Sequence, residues 1–316
     1  MVLAKPVHVV VVGSTNFDVV VKADRMPQEG ETLQASNLRF FPGGKGANQA
    51  VAAARMGAKT TMLGAVGEDV IGQFLLEGLA TNCVDATWIK RSSARHTGTA
   101  FIMLFPSGDN CIVVEPGANL SLTPADVERA AEVINQADAL TTVMEVSLEV
   151  VEAALRLARK AGKLTVLDAG PARHCPPEIL KLADIVSPNE TELEALTGEK
   201  VSGRVSAQEA AGKLLEMGVK TVVLKLGSDG SMLVRRKGAK HFPACKIEAV
   251  DPTAAGDAFT AALTVQLAAG VEMNEAIHYA NFAGALTVTK LGAQPSLPTR
   301  TEVDEFIARL GVSPPR

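Results

Sequence analysis

Tryptophan and tyrosine each occur once in the 316 residues, and aromatic side chains make up 4% of the chain. A site that stacks a nucleobase between rings has few residues to draw on here. No run of Lys or Arg marks a basic stripe and the formal net charge is −4, so nucleic acid is not an expected partner. The four cysteines, Cys83, Cys111, Cys175 and Cys245, form no C-x-x-C pair. Reduced thiols are expected rather than disulfides or zinc, and the histidines lack metal-ligand spacing. No long apolar stretch could span a membrane. Met1 to Val10 carries neither a basic leader nor a cleavage site, so no signal peptide is expected. A soluble, cytoplasmic protein fits these absences. Gly13 is not followed by further glycines at G-x-G-x-x-G spacing, which weighs against a nicotinamide cofactor.

What is present is alternation. Val7 to Val12 is a continuous β-branched run stopped by Gly13, the pattern of a strand buried on both faces. The spacing then predicts a helix over 46–56, a strand over 60–66 and a helix over 70–79. Strands are expected at 137–144, 164–168, 185–186 and 221–226, with helices at 148–160, 191–196 and 207–217. Helices dominate from Ala254, at 254–269, 274–288 and 302–310. This order predicts an α/β fold, a doubly wound, mostly parallel sheet flanked by helices, in a single domain over residues 1–316. Two segments, about 17–41 and 97–114, read instead as strands joined by turns. The second is a hairpin turning at Pro106-Ser-Gly-Asp109. Together they predict a small β-sheet at the edge of the main one, a candidate lid.

In an open parallel sheet, ligands bind beyond the carboxyl ends of the strands. The residues that follow the apolar runs there are Asn16 and Asp18, Glu145, Asp168, Asn189 and Glu192, and Gly227-Ser-Asp-Gly230. Asn16 and Asp18 are two apart, so a strand puts them on one face, where an amide and a carboxylate can take vicinal hydroxyls. Phe41-Pro-Gly-Gly44-Lys45-Gly-Ala-Asn48 leads into a helix. It is not a Walker A loop, and its glycines serve equally a tight turn or close approach of a ligand. Asp251-Pro-Thr253-Ala-Ala-Gly256-Asp257 opens a long apolar helix with small residues, which leaves free N–H groups for an anion. On local sequence alone, Asp257 reads first as an acidic residue complementing the helix dipole, and second as a base.

Two of these segments resemble the signatures of one family. Gly43-Gly-Lys-Gly-Ala-Asn48-Gln-Ala is similar to the first signature of the ribokinase/phosphofructokinase-B carbohydrate kinases, and Asp251 to Phe259 to the second. Ser187-Pro-Asn189-Glu-Thr-Glu192 resembles their N-x-x-E motif. The likeness runs from about Val7 to Leu310, and Gly117-Ala-Asn119 and Gly292-Ala-Gln-Pro-Ser296 are closest to the ribose-phosphorylating branch.

The resemblance implies ATP-dependent phosphorylation of ribose with Mg²⁺ and a monovalent cation, K⁺, in a homodimer paired through the lid. It assigns the sugar to Asn16, Asp18, Gly44, Lys45, Asn48 and Glu145, and the general base to Asp257. The anion hole falls to the N–H groups of Ala254, Ala255 and Gly256. Asn189 is given to the ATP phosphates and Glu192 to Mg²⁺ through water. Lys225, Leu226, Gly227, Ser228, Asp229, Gly230 and Asn281 are given to the nucleotide. Asp251, Thr253, Thr287, Lys290, Gly292 and Ser296 match the monovalent-cation positions.

Two residues depart from the family pattern. Pro252 replaces a usual Thr in the cation loop, and Lys225 stands where a small polar residue is common. Within the family, deoxyribose, fructose, a nucleoside or a ketodeoxy acid are alternative acceptors. Outside it, the alternative is a sugar-binding regulator without catalysis.

Overall fold

The apolar run near the start of the chain becomes the central strand. In the computed structural model, which describes residues 6–106 and 110–311, β1 (His8–Val12) is buried along its whole length. It is followed by β2 (Asn16–Lys22), β3 (Ser36–Gly43), α1 (Lys45–Arg55), β4 (Lys59–Gly67), α2 (Val70–Thr81), β5 (Val84–Ser92), β6 (Gly98–Leu104) and β7 (Asn110–Glu115). After a 3₁₀ turn at Gly117–Ser121 come α3 (Pro124–Arg129), α4 (Ala131–Gln136), β8 (Ala139–Val143), α5 (Leu148–Lys160), β9 (Leu164–Asp168), α6 (Pro177–Leu180) and β10 (Ile185–Ser187). The remainder is α7 (Glu190–Thr197), α8 (Arg204–Glu216), β11 (Val222–Lys225), β12 (Ser231–Arg235), β13 (Gly238–Phe242), α9 (Ala255–Ala268), α10 (Met273–Thr287), α11 (Ala293–Ser296) and α12 (Arg300–Arg309). No helix of the described residues is long and apolar enough to cross a membrane.

Nine strands form the main sheet in the order β13-β12-β11-β10-β9-β8-β1-β4-β5. All neighbours from β11 to β5 are parallel, and β12 and β13 are antiparallel. Alternate residues of β1 feed opposite faces, as period-two geometry requires. Val10 and Val12 pack with α3, α4, α5, α7 and α8. Val9 and Val11 pack with α1, α9, α10 and α12. The chain leaves β1 towards β4 and β5 and returns on the other side at β8. The β1/β8 boundary is therefore the switch point, where a crevice opens at the strand ends.

The structure adds elements that the sequence pattern does not announce. β5 is an edge strand carrying Asp85, Lys90 and Arg91 with mixed exposure, so no apolar run marks it. The turn before it uses Cys83 at φ 58° rather than glycine. The β12–β13 hairpin is hidden because Gly238–Phe242 is mostly exposed.

The second sheet has four strands in the order β3-β2-β6-β7. Its central pair, β2 and β6, is parallel. Of the hairpin turn expected at residues 106–109, Ser107 to Asp109 lie outside the described residues. One face of this sheet carries Asp18, Val20, Phe41 and Ile102, which line a cleft with Asp251, Thr253 and Gly292. On the other face, Phe40, Val19, Phe101 and Val113 stand in one cross-strand row. Phe40, Phe101 and Val113 are all exposed there, as is Leu38.

Candidate active site

The switch point brings the strand-end residues together. Ser14, just past β1, donates its hydroxyl to Glu145, just past β8. The same Glu145 oxygen accepts the N–H of Lys45 at 3.0 Å, which fixes the start of α1 against the crevice. Gly44 precedes it at φ 88°, and an added Cβ would lie 2.6 Å from the Asn16 nitrogen. Both conditions call for glycine. Asn16 and Asp18 are buried on the same side of β2. The Asn16 side-chain oxygen Oδ1 accepts from Asn119 Nδ2 at 2.7 Å, and Asn119 Oδ1 accepts the Thr15 N–H at 2.9 Å. The 3₁₀ turn thus clamps the base of β2.

Asp257 lies in the first turn of α9, buried, where α9 crosses α1. Asn48 Nδ2 donates to its Oδ2 at 2.9 Å, and Gln49 Nε2 lies 3.4 Å from Oδ1. Lys45 Nζ is 3.9 Å from Asp257 Oδ1 and 4.0 Å from Glu192 Oε1. Asn48 Oδ1 is buried with no partner among the described residues, an acceptor open to a ligand hydroxyl.

Ala254 caps α9 in the left-handed region, at φ 62°. Its turn places the Ala255 N–H 3.3 Å from the Pro252 carbonyl oxygen. The N–H groups of Gly256 and Asp257 have no acceptor among the described residues. Orphan donors at a helix start in a crevice form an anion site. Among the described residues the donors left open are thus those of Ala254, Gly256 and Asp257, while that of Ala255 is taken by Pro252.

On the far side of the crevice, Asn189 and Glu192 form a capping box on α7. Asn189 Oδ1 accepts the Glu192 N–H at 2.8 Å, and Glu192 Oε2 accepts the Asn189 N–H at 2.7 Å. Lys225 ends β11, and its ammonium meets Asp168 Oδ2 at 2.9 Å rather than solvent. Leu226 is buried, and a 3₁₀ turn at Gly227–Asp229 holds Ser228 and Asp229 exposed. Asp229 pairs with Arg204 at 3.2 Å. Gly230 and Asn281 meet at one wall: a Cβ on Gly230 would lie 2.1 Å from the Phe242 carbonyl oxygen, which accepts from Asn281 Nδ2 at 3.3 Å.

The sequence profile of the pfkB family carbohydrate kinases matches residues 7–300. The chain belongs to this family. A ribokinase from Staphylococcus aureus is 40% identical over 299 residues, 94% of this chain and 98% of the relative. A deoxyribokinase from Salmonella typhi is 33% identical, over 95% of this chain and 98% of that one. A ribokinase from Arabidopsis thaliana, solved in complex with ribose and ATP, superposes with a TM-score of 0.87 at 34% identity. The match covers 96% of this chain and 98% of that structure.

Charge in this carbohydrate-kinase crevice is balanced over several groups. Burial pushes the Asp257 carboxyl up to about 6; Lys45 and the Asn48 hydrogen bond oppose this, and Asp168 adds to it. Burial, reinforced by Glu145 and Asp257, pushes Asp18 up to about 7. Burial alone would lower Lys45, but Asp257, Asp168, Glu192 and Glu145 outweigh it and hold the ammonium protonated. For Asp168 burial works upward, and Lys225 and Lys45 bring it below the usual carboxylate range.

Asp168, Gln49 and Thr260 are absent from the residues that the resemblance assigns, yet they hold the centre together. Gln49 Nε2 donates to Asp168 Oδ2 at 3.0 Å, the Thr260 hydroxyl donates to it at 2.9 Å, and Gln49 Oε1 accepts from Thr141. Asp168 was visible as a polar strand end and Gln49 as part of a signature. Thr260, one turn into α9, left no sequence pattern of its own.

In this pfkB-family chain the loop 250–253 is tied to the end of α10. The N–H groups of Val250 and Asp251 both donate to the Val288 carbonyl oxygen. Asp251 accepts from the N–H groups of Thr253 and Gly292 at 2.9 and 2.8 Å. None of these bonds needs an N–H from residue 252, so Pro252 fits. Of the cation positions named from sequence, three side chains are engaged elsewhere: Thr287 with Ala283, Ser296 with Ala293, and Lys290 with Glu302.

Proposed function

We propose that this chain transfers the γ-phosphoryl group of ATP to the 5-hydroxyl of D-ribose, with Asp257 as general base. The observation that carries the reading is the buried Asp257 carboxylate beside the free N–H groups of Gly256 and Asp257. A hydroxyl on that carboxylate and a phosphoryl group on those N–H groups would sit side by side. Phosphoryl transfer asks for this positioning and charge stabilisation more than for covalent chemistry.

Asn16, Asp18, Asn48 and Glu145, with the backbone at Gly44 and Lys45, would bind the sugar hydroxyls. Asp18, which is part neutral and part ionised near pH 7, can both donate and accept. The open Asn48 Oδ1 supplies a further acceptor. Asn189 and Lys225 would face the phosphates, and the 226–230 turn with Asn281 would border the nucleotide. The four-stranded sheet would act as a lid, excluding water from the transferring group.

Glu192 fits a role with Mg²⁺ through water. Its carboxylate is buried, is held by one backbone N–H, and lies 4.0 and 3.9 Å from two ammonium groups rather than against either. Mg²⁺ would neutralise phosphate charge when bound. A hard monovalent cation such as K⁺ would take oxygen donors from the backbone around Asp251, Thr253, Thr287, Lys290, Gly292 and Ser296. Such an ion would stiffen the loop before Ala254.

The reading is tested by ADP release from the purified protein over D-ribose, 2-deoxyribose, fructose, a ketodeoxy acid and nucleosides, with and without K⁺. Ribose should give the highest kcat/KM. The deoxyribokinase likeness favours 2-deoxyribose as the second acceptor, and its kcat/KM should be about tenfold lower if one hydroxyl contact is missing. A higher value for 2-deoxyribose would reverse the assignment, and sugar binding without ADP release would make the chain a regulator.

The exposed row of Phe40, Phe101 and Val113 supports pairing of two lids into a homodimer, because apolar side chains clustered on a sheet face mark a docking surface. Phe101→Glu should convert a dimer to a monomer in analytical ultracentrifugation. A wild-type protein already monomeric at micromolar concentration would remove this part of the proposal.

A further inference from the structure

Lys225 is placed and charged for a task that its packing does not explain. Its side chain is 11% exposed at the end of β11, and its ammonium makes one hydrogen bond, to Asp168 Oδ2 at 2.9 Å. An ammonium has three donors, so two remain unused. Glu192 Oε2 is 3.9 Å away, an electrostatic neighbour beyond hydrogen-bond range. On its other side the ammonium faces the start of α9: a Cβ placed on Gly256 would lie 3.7 Å from Lys225 Nζ. The open donors of Lys225 and the open N–H groups of Gly256 and Asp257 therefore border the same space.

Asp168 has the character of an anchor. It is fully buried, and Gln49, Thr260 and the Gly170 N–H also donate to it. It holds the Lys225 ammonium from beneath, so little side-chain freedom remains to be lost when an anion arrives. It is also joined through Gln49 to Asp257, whose Oδ1 lies 3.4 Å from the Gln49 amide nitrogen. One buried carboxylate thus positions both the phosphate-facing cation and a ligand of the base.

We propose that Lys225 is a ligand of the terminal phosphate of the nucleoside triphosphate, and that Asp168 is the residue that positions it. This deepens the assignment of the crevice as a phosphoryl-transfer site and rests on it. With the terminal phosphate seated at the start of α9, a charged donor at this point would favour the triphosphate over the diphosphate. It also sets a basic side chain beside the anion site, one that is independent of any bound cation.

The test is the affinity of the full-length protein for Mg²⁺ with the β,γ-imido analogue of ATP, and separately for Mg²⁺ with ADP, measured by calorimetry without sugar. Lys225→Met should weaken the analogue at least tenfold and change ADP by less than threefold. Lys225→Arg should keep most of the preference for the analogue. Lys225→Met also leaves Asp168 without its cation, so its thermal midpoint should fall. The double variant Asp168→Asn/Lys225→Met, neutral at both positions, should recover part of the midpoint without recovering the preference, and it carries the test if the single variant does not fold. A purely structural Lys225 would give a double variant with wild-type preference, and equal weakening of both nucleotides would also overturn the proposal. Absence of sugar phosphorylation in the wild type would count against the assigned reaction. It would leave this binding measurement intact.

Discussion

Asp257→Asn should lower turnover by about 10³-fold or more while leaving sugar affinity within about threefold of wild type. Asparagine keeps the shape and its Oδ1 can still accept from Asn48, with its Nδ2 turned to the longer contact with Gln49, but it cannot accept a proton. Steady-state kinetics together with sugar titration by calorimetry separates the two effects. If Asp257 served only to complement the dipole of α9, the variant would lose a few tenths of a kcal/mol of stability and keep its rate. Wild-type kcat in Asp257→Asn would falsify the base assignment.

The same carboxyl should set the pH dependence. Its value is raised to about 6, so the basic form is present above that pH and is lost as pH falls through it. In the wild type, kcat/KM should drop on the acid side with a break near 6. Asn48→Ala removes a hydrogen bond that favours the ionised form, and should move the break upward.

Gly43→Ala is expected to raise the sugar KM by about 10–100-fold and to leave the ATP KM nearly unchanged. Gly43 ends β3 opposite Asn16. A Cβ there would lie 2.2, 2.4 and 2.5 Å from Oδ2, Cγ and Oδ1 of Asp18. Asp18 is buried and cannot swing to solvent without leaving the crevice. Gly78→Ala on α2, where no atom lies within 4 Å of the added carbon, is the matched control and should be silent in both constants. Equal behaviour of the two variants would remove Asp18 from the sugar site.

Much of the main sheet was legible because its strands are buried on both faces and leave unbroken apolar runs, as in Val9 to Val12. What remained hidden was at the edges. β5 and β13 mix charge with partial exposure, and no run distinguishes them from loop. The crevice was legible as a row of polar residues at strand ends. Its internal wiring was not. That Lys45 lies between Asp257 and Glu192, or that Asp168 binds Lys225 and Gln49 together, depends on side chains meeting across 57 or more residues of sequence. Periodicity has no access to such distances. The two signatures located the loops, whereas which N–H groups stay open at the start of α9 depends on the fold of the turn before it.

β2 belongs to two structures at once. At its base, Asn16 is clamped to Asn119 and paired with Gly98 and Gly43. Two residues on, Asp18 faces the crevice, while the strand is paired in the second sheet from Asn16 to Lys22. A sugar held by Asn16 and Asp18 therefore grips the root of the sheet that would cover it. Linkage makes the relation reciprocal: if closure strengthens the hold on the sugar by some factor, the sugar shifts the closure equilibrium by the same factor. The acceptor would then act as its own effector, and its arrival would set how well the crevice is sealed when the nucleotide reacts.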